Sequence, residues 1–508
     1  MKYSPKHIVV VFFSLLFVSC GSVRMTIPQM PGKDAKHEFR GAWIQTAYQG
    51  EYQTMTPQEL QKDFVRKLDY LQACGINAII FQVRPEADAF YYSELEPWSR
   101  FYTGEQGRAP EGNFDLMKFL IEECHKRAME FHAWLNPYRV STNAKIPLAE
   151  KHIYHRYPEW FVTYNNQILF DPGIPENRQF ICQVVRDIVL RYDVDAIHMD
   201  DYFYPYPVAG LPFPDEKSFH KYGLEKGYKE EQKNDWRREN VNMLISELKR
   251  TILLVKPWVR FGISPFGIYR NKKSTIDGSG SETNGLQNYD DLYADVLYWV
   301  RQGWLDYNMP QIYWEIDHPA ADYKTLIHWW DKYAGERHLY IGQDVARTMK
   351  AGQLTQKMAY ERSLPHIGGN CFWPANELLW NNGGIADSLK LNYHKYPALI
   401  PPYTHLHAKA PKEVKGLKAK WTPEGYTLHW KAKQSESNPE LASYFVVYRF
   451  ANKERIDLND PSKIVNITQE TKYLLPYNRG TNKYKYIVTA VDRFHNESLK
   501  GKIKKVKL

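Results

Sequence analysis

Ile76-Asn77-Ala78-Ile79-Ile80-Phe81-Gln82-Val83 is a near-continuous apolar run, and the residues before it carry a different period. Thr56-Pro57 supplies an N-cap followed by proline at the first helical position. Leu60, Phe64, Leu68 and Leu71 then recur at intervals near four, and Gly75 ends the pattern. A strand without polar alternation is buried on both faces, as in a parallel sheet covered by helices. The local unit is therefore a helix that delivers the chain into a buried strand.

That unit recurs across the first three quarters of the chain. Short apolar runs lie at 39–46, 76–83, 130–136, 195–200, 260–265, 306–314, 338–344 and 368–373. Helical spacing fills the gaps: Leu116, Phe119, Leu120 and Cys124 share one face, and so do Ile181, Val184, Val185 and Ile188. Eight such strands predict an α/β fold closed into a (β/α)8 TIM barrel over 38–397. The proline-rich stretch 398–411, with Pro401, Pro402 and Pro411, reads as a linker. Beyond it, 426–430, 444–449 and 483–491 alternate apolar and polar residues. The segment 490–498 (Ala-Val-Asp-Arg-Phe-His-Asn-Glu-Ser) resembles the end of a fibronectin type III domain, so 412–508 is expected to be a small all-β sandwich.

The N-terminus carries a targeting pattern. Lys2 and Lys6 precede an apolar run from Ile8 to Val18 that is too short to span a bilayer. Val18-Ser19-Cys20-Gly21 then resembles a bacterial lipobox, which makes 1–20 a signal peptide ending in the lipidated Cys20 and 21–37 a tether. Gly21 stands where an Asp would hold a lipoprotein in the inner membrane, so a cell-envelope protein anchored in the outer membrane and facing the periplasm is expected.

With 43% hydrophobic and 25% charged residues the chain has the composition of a folded globular protein. The net charge of +9 is spread out, without the clustered basic face that nucleic-acid binding requires. Cys74, Cys124, Cys182 and Cys371 are too widely spaced for a zinc pattern or a disulfide framework and read as buried small side chains. The 15 Trp and 37 Tyr give an aromatic content of 15%, suited to stacking on sugar rings.

In a barrel of this kind chemistry belongs to the C-terminal strand ends. Those positions hold Arg84, Asn136, Tyr138, Arg139, His198, Asp200, Asp201, Tyr202, Gln311, Tyr313, Trp314, Glu315 and Trp373. Strand alternation puts His198 and Asp200 on one side, and adjacent carboxyls raise each other's proton affinity. Glycoside hydrolysis needs one ionised and one protonated carboxyl. Asp200 is therefore assigned as nucleophile or base and Glu315 as general acid, with Asp201 exchanging roles with Asp200 or holding substrate hydroxyls. The other strand-end side chains are assigned to substrate binding: Arg84 and Arg139 as clamps for acidic sugars or as orienters of the Asp pair, and Trp314 and Trp373 as stacking platforms. No metal or cofactor is called for.

Several strings, in order, resemble the glycosyl-hydrolase-like family ten of bacterial lipoproteins. They are Phe39-Arg40-Gly41-Ala42-Trp43, Phe81-Gln82-Val83-Arg84-Pro85, Glu96-Pro97-Trp98-Ser99, Trp134-Leu135-Asn136-Pro137-Tyr138-Arg139 and Asp171-Pro172-Gly173. His198-Met199-Asp200-Asp201-Tyr202-Phe203-Tyr204-Pro205, Ser264-Pro265-Phe266-Gly267 and Pro310-Gln311-Ile312-Tyr313-Trp314 follow. The resemblance implies a barrel hydrolase acting on a polysaccharide, with peptide-stripped peptidoglycan strands as the expected substrate. Two other readings compete: a metal-dependent hydrolase or deacetylase built on His198, Asp200 and Asp201, and a silent glycan-binding lipoprotein. Barrel metallohydrolases usually carry a His-x-His on an early strand, and this sequence has none.

Overall fold

Thr56 caps the helix the sequence predicts: its side chain accepts from Glu59 N–H while Glu59 reaches back to the Thr56 backbone, and Pro57 opens the first turn. This helix, α1 (Pro57–Ala73), buries Leu60, Phe64, Leu68 and Leu71 and delivers the chain into an apolar strand at Ala78–Arg84. The computed structural model describes residues 35–435 and 437–508, so Cys20, the signal peptide and most of the tether lie outside the described residues.

The barrel strands are β1 (Phe39–Ile44), β2 (Ala78–Arg84), β3 (Glu130–Leu135), β4 (Ala196–Met199), β5 (Arg260–Ile263), β6 (Tyr307–Asn308), β7 (His338–Asp344) and β8 (Ile367–Trp373). All neighbours pair in parallel and β8 returns to β1, closing the barrel. The helices Leu116–Lys126, Pro175–Arg191, Lys233–Val255, Val296–Arg301, Tyr323–Lys332 and Leu354–Ser363 lie between successive strands. Strand six is much shorter than the predicted 306–314. Pro310 has no N–H for the ladder, and pairing resumes only as single bridges at Gln311, to Phe266 and Gly342.

Six of the eight strands are buried along their whole length, as the unalternating runs require. The barrel axis, however, is filled by hydrogen-bonded rings rather than by aliphatic layers. Glu130 Oε2 bonds His132 Nε2 at 2.8 Å, His132 Nδ1 meets the Tyr307 hydroxyl at 2.9 Å, and the same hydroxyl meets His198 Nδ1 at 2.9 Å. His198 Nε2 accepts from Trp43 Nε1–H at 3.2 Å and lies 2.9 Å from Ser264 Oγ. Because an indole can only donate, His198 carries its proton on Nδ1, and every donor in the column points toward the Glu130 carboxylate. A Cβ at Gly262 would lie 2.0 Å from the Tyr307 ring, so the missing side chain on β5 is what admits that ring to the axis.

The C-terminal unit has a three-stranded sheet (β9 Lys415–Thr422, β10 Gly425–Lys431 and β13 Lys472–Leu474) and a four-stranded one. The latter comprises β11 (Tyr444–Ala451), β12 (Ile464–Thr468), β14 (Lys483–Val491) and β15 (Lys504–Lys507). All pairs are antiparallel, and Leu428, Trp430, Phe445, Val447 and Val488 form the core between the sheets, a sandwich as expected.

The stretch read as a linker is packed rather than free. Leu399, Ile400 and Tyr403 are buried, and Ile400 and Tyr403 join Phe39, Tyr307 and Tyr340 in the core at the foot of the barrel. The Tyr403 hydroxyl bonds that of Tyr340 at 2.9 Å. Proline content signalled a chain that cannot join a sheet, but the apolar residues between the prolines bury themselves. The sandwich docks on the same foot: Glu130 Oε1 meets His495 Nε2 at 2.6 Å and forms an ion pair with Arg260, and Arg493 pairs with Asp193 at 2.6 Å. Cys74, Cys124 and Cys371 are buried thiols and Cys182 is half-buried, with no disulfide among them. No helix of the described residues is long and apolar enough to cross a membrane.

Candidate active site

Asp200 and Asp201 follow β4 directly, at the C-terminal mouth, in a cavity of about 400 Å³. Both are buried. Asp200 Oδ2 accepts from Trp134 Nε1 at 3.1 Å, Asp200 Oδ1 accepts from the Tyr202 backbone N–H at 3.2 Å, and Asn136 Nδ2 stands 3.4 Å away. Asp201 accepts from the Tyr206 hydroxyl and, at 3.1 Å, from Gln311 Nε2. Gln311 is itself fixed by donating to Ser264 O at 2.8 Å. A Cβ at Gly267 would lie 2.4 Å from the Gln311 carbonyl oxygen and 2.6 Å from the Trp314 ring, so the glycine lets strand-end six close on the pair.

Burial raises the proton affinity of both carboxyls. Asp200 is pushed up to about 7, first by burial and then by the neighbouring Asp201 charge. Asp201 is also raised by burial, opposed by its bonds to Tyr206 and Gln311. Such a pair titrates as a unit and retains one proton near neutral pH. One carboxyl can then donate while the other is an anion. Hydrolysis is expected to fall as pH rises through about 7, where the shared proton is lost. An alkaline limb well below pH 6 in the kcat profile would refute this assignment.

Aromatic rings enclose the pair. Trp134 and Trp43 each meet Trp373 edge-to-face, at 6.0 and 6.5 Å between centroids. On another wall Tyr202 stacks on Tyr206 at 5.4 Å, and Phe266 packs against Trp314 at 5.3 Å. Tyr313, Gln82 and two guanidiniums, Arg139 and Arg347, also line the cavity, with Gln45, Ala47 and Tyr48 just past the end of β1. Arg139 Nε donates to Pro85 O at 2.9 Å, which anchors its head over the Tyr202 ring.

Of the residues singled out from the sequence, the structure brings Arg139, Asp200, Asp201, Tyr202, Gln311, Tyr313, Trp314 and Trp373 to the cavity. Asn136 lies beneath it against Asp200. Four are placed elsewhere. Glu315 does not line the cavity; it is half-buried near Lys357, whose proton affinity it raises. Arg84 is buried and grips Glu96 through Nε at 2.8 and 2.9 Å, a structural pair that joins two of the strings quoted above. Tyr138 is buried in the core behind the site. His198 is fully buried in the axial column and kept neutral by burial, its pKa held well below the usual value. It supports Trp43 and Ser264 from below instead of touching a ligand. Tyr206 and Arg347 escaped the sequence reading. Tyr206 sits one residue past the quoted string, where the Tyr202-x-Tyr204-x-Tyr206 spacing was its only signal.

The donor set offers little to a metal ion. Both ring nitrogens of His198 are engaged, and among the described residues the one cluster of three potential ligands is Glu216, His220 and Glu230, all exposed. Chelator treatment is therefore expected to leave hydrolysis unchanged; loss of activity restored by added metal would revive the metallohydrolase reading.

A barrel with a buried carboxyl pair in an aromatic cavity at its C-terminal mouth is the architecture of a TIM-barrel glycoside hydrolase. The chain belongs to the glycosyl hydrolase-like 10 family, whose sequence pattern matches residues 38–360. It is similar to glycosyl hydrolase YngK of Bacillus subtilis (strain 168), 38% identical over 518 residues that cover 99% of each chain. It is also similar to glycosyl hydrolase DigH of Escherichia coli (strain K12), 36% identical over 365 residues, which cover 66% of this chain and 81% of that protein. These findings and the barrel identify the chain as a glycoside hydrolase.

Proposed function

We propose that this glycoside hydrolase cleaves the glycan strands of bacterial cell wall after their stem peptides have been removed, with the Asp200–Asp201 pair performing the proton transfers. The observation that carries the reading is that pair, buried within an indole-lined cavity, where burial raises the proton affinity of both carboxyls. Removing the stem peptides exposes a lactyl carboxylate on each muramic residue, and Arg139 and Arg347 on the cavity wall are suited to such anions. Tyr202, Tyr206, Phe266 and Trp314 supply faces against which sugar rings stack.

In this reading Cys20 is lipidated and holds the enzyme at the outer membrane, facing the periplasm, where the polymer lies. Mass spectrometry of products after incubation with intact and peptide-stripped peptidoglycan tests the proposal. New sugar oligomers are expected from the stripped strands and not from the intact wall. Products from neither substrate would move the assignment to another polysaccharide.

A further inference from the structure

Both cavity carboxyls come from consecutive residues of one strand end, and among the described residues no other carboxylate lines the cavity. Enzymes that attack the sugar with a carboxylate, or with water activated by one, place the two groups across the scissile bond. In a barrel those groups come from different strands. The rest of the lining includes aromatic and neutral side chains such as Trp43, Trp373, Tyr313 and Trp314, with no second acid across from the pair among the described residues. The nucleophile must then come from elsewhere. Beside Asp200, three indoles make a corner: Trp134 bonds the carboxylate through Nε1 and packs edge-to-face on Trp373, which packs edge-to-face on Trp43. An indole-walled corner with one carboxylate at its side fits a small group that is apolar at one end and carries a single N–H donor, such as an acetamido group.

Resting on the glycosidase reading above, we infer that the enzyme uses the 2-acetamido group of its own substrate as nucleophile, with Asp200 holding the amide N–H and Asp201 donating to the leaving oxygen. The acetamido carbonyl oxygen bonds to C1 as the C1–O bond breaks, and Asp201 passes its proton to the departing sugar. Asp200, as the anion, balances the positive charge that develops on the amide nitrogen. Water then adds to C1 and gives its proton to the Asp201 carboxylate, while the ring opens to restore the acetamide. One water is consumed, one glycosidic bond is cleaved, and the anomeric configuration is retained. Amide binding itself sets the roles: an N–H donated to Asp200 favours its ionised form and drives the shared proton to Asp201. The Tyr206 and Gln311 donors then stabilise Asp201 once it has released that proton.

The test compares peptide-stripped peptidoglycan strands with the same strands after chemical N-deacetylation, using the full chain. Deacetylation is expected to slow cleavage by at least about 100-fold, and re-acetylation to restore it. In parallel, N-acetylglucosamine-thiazoline, a stable analogue of the bicyclic intermediate, is expected to bind the wild type and to bind Asp200→Asn at least about 100-fold more weakly. Equal cleavage of acetylated and deacetylated strands would overturn neighbouring-group participation while leaving the glycosidase reading intact. Cleavage of neither, without thiazoline binding, would overturn both the acetamido mechanism and the cell-wall substrate, and would move the assignment to another polysaccharide.

Discussion

Asp200→Asn and Asp201→Asn are each expected to lower kcat on peptide-stripped strands by about 1000-fold while leaving the melting temperature and glycan binding close to wild type. At Asp201 an amide can still accept from Gln311 and donate to the Tyr206 hydroxyl, and at Asp200 its oxygen can keep one of the two donors, Trp134 Nε1–H or the Tyr202 backbone N–H, so the cavity should keep its shape. The residual activity carries a second signature. In Asp201→Asn the remaining carboxyl loses the like charge that helps to raise it to about 7, so its proton is released at lower pH. The alkaline limb of the residual rate should move to lower pH accordingly. A variant with full activity would remove its residue from the chemistry, and an unmoved limb in Asp201→Asn would mean that the two groups do not share their proton.

Glu130→Gln is expected to destabilise the protein by about 3–5 kcal/mol, because it strips the carboxylate from buried Arg260 while breaking bonds to His132 and His495. Arg260 is 1% exposed and cannot be hydrated in place. Glu130 is held well below the usual value of 4.5: against the cost of burial, Arg260 and His495 favour the anion, helped by the bonds from His132 and His495. A carboxyl with a depressed folded pKa stabilises the fold above its unfolded pKa and loses that contribution as pH falls toward its folded pKa. The wild type should therefore surpass Glu130→Gln most clearly at neutral pH, and the gap should close below pH 4.5. Denaturant titration at several pH values measures this. A difference under about 1 kcal/mol at pH 7 would mean that the cluster behaves like an exposed ion pair.

The barrel was legible in the sequence because its strands are buried on both faces, so that apolar runs such as 76–83 stand out without alternation. Strand six was overdrawn because β character in Met309–Trp314 is real, but Pro310 interrupts the ladder. Within the site, residues on or just after a strand kept the direction that pleating gives them, which is why Asp200, Asp201, Gln311 and Trp373 were found. Farther along, the loop decides. Glu315 lies past the last bridge of strand six and faces Lys357 instead of the cavity. Arg84 was read as a clamp because its partner, Glu96, is brought to it only by the loop after β2. The docking of the sandwich was invisible for a related reason: Glu130, Arg260 and His495 are far apart in sequence and look like ordinary surface charges until the barrel foot is covered.

The column of rings along the barrel axis starts at Glu130, where His495 of the sandwich is bound, and ends at Trp43 and Ser264, which border the Asp pair. Domains that hang from a flexible tether are interchangeable cassettes, free to be traded between proteins without disturbing the enzyme they accompany. This sandwich completes the polar filling of its host, and so the two are expected to work as a matched pair: a chimera carrying a relative's C-terminal domain should work only where that domain brings its own histidine to Glu130.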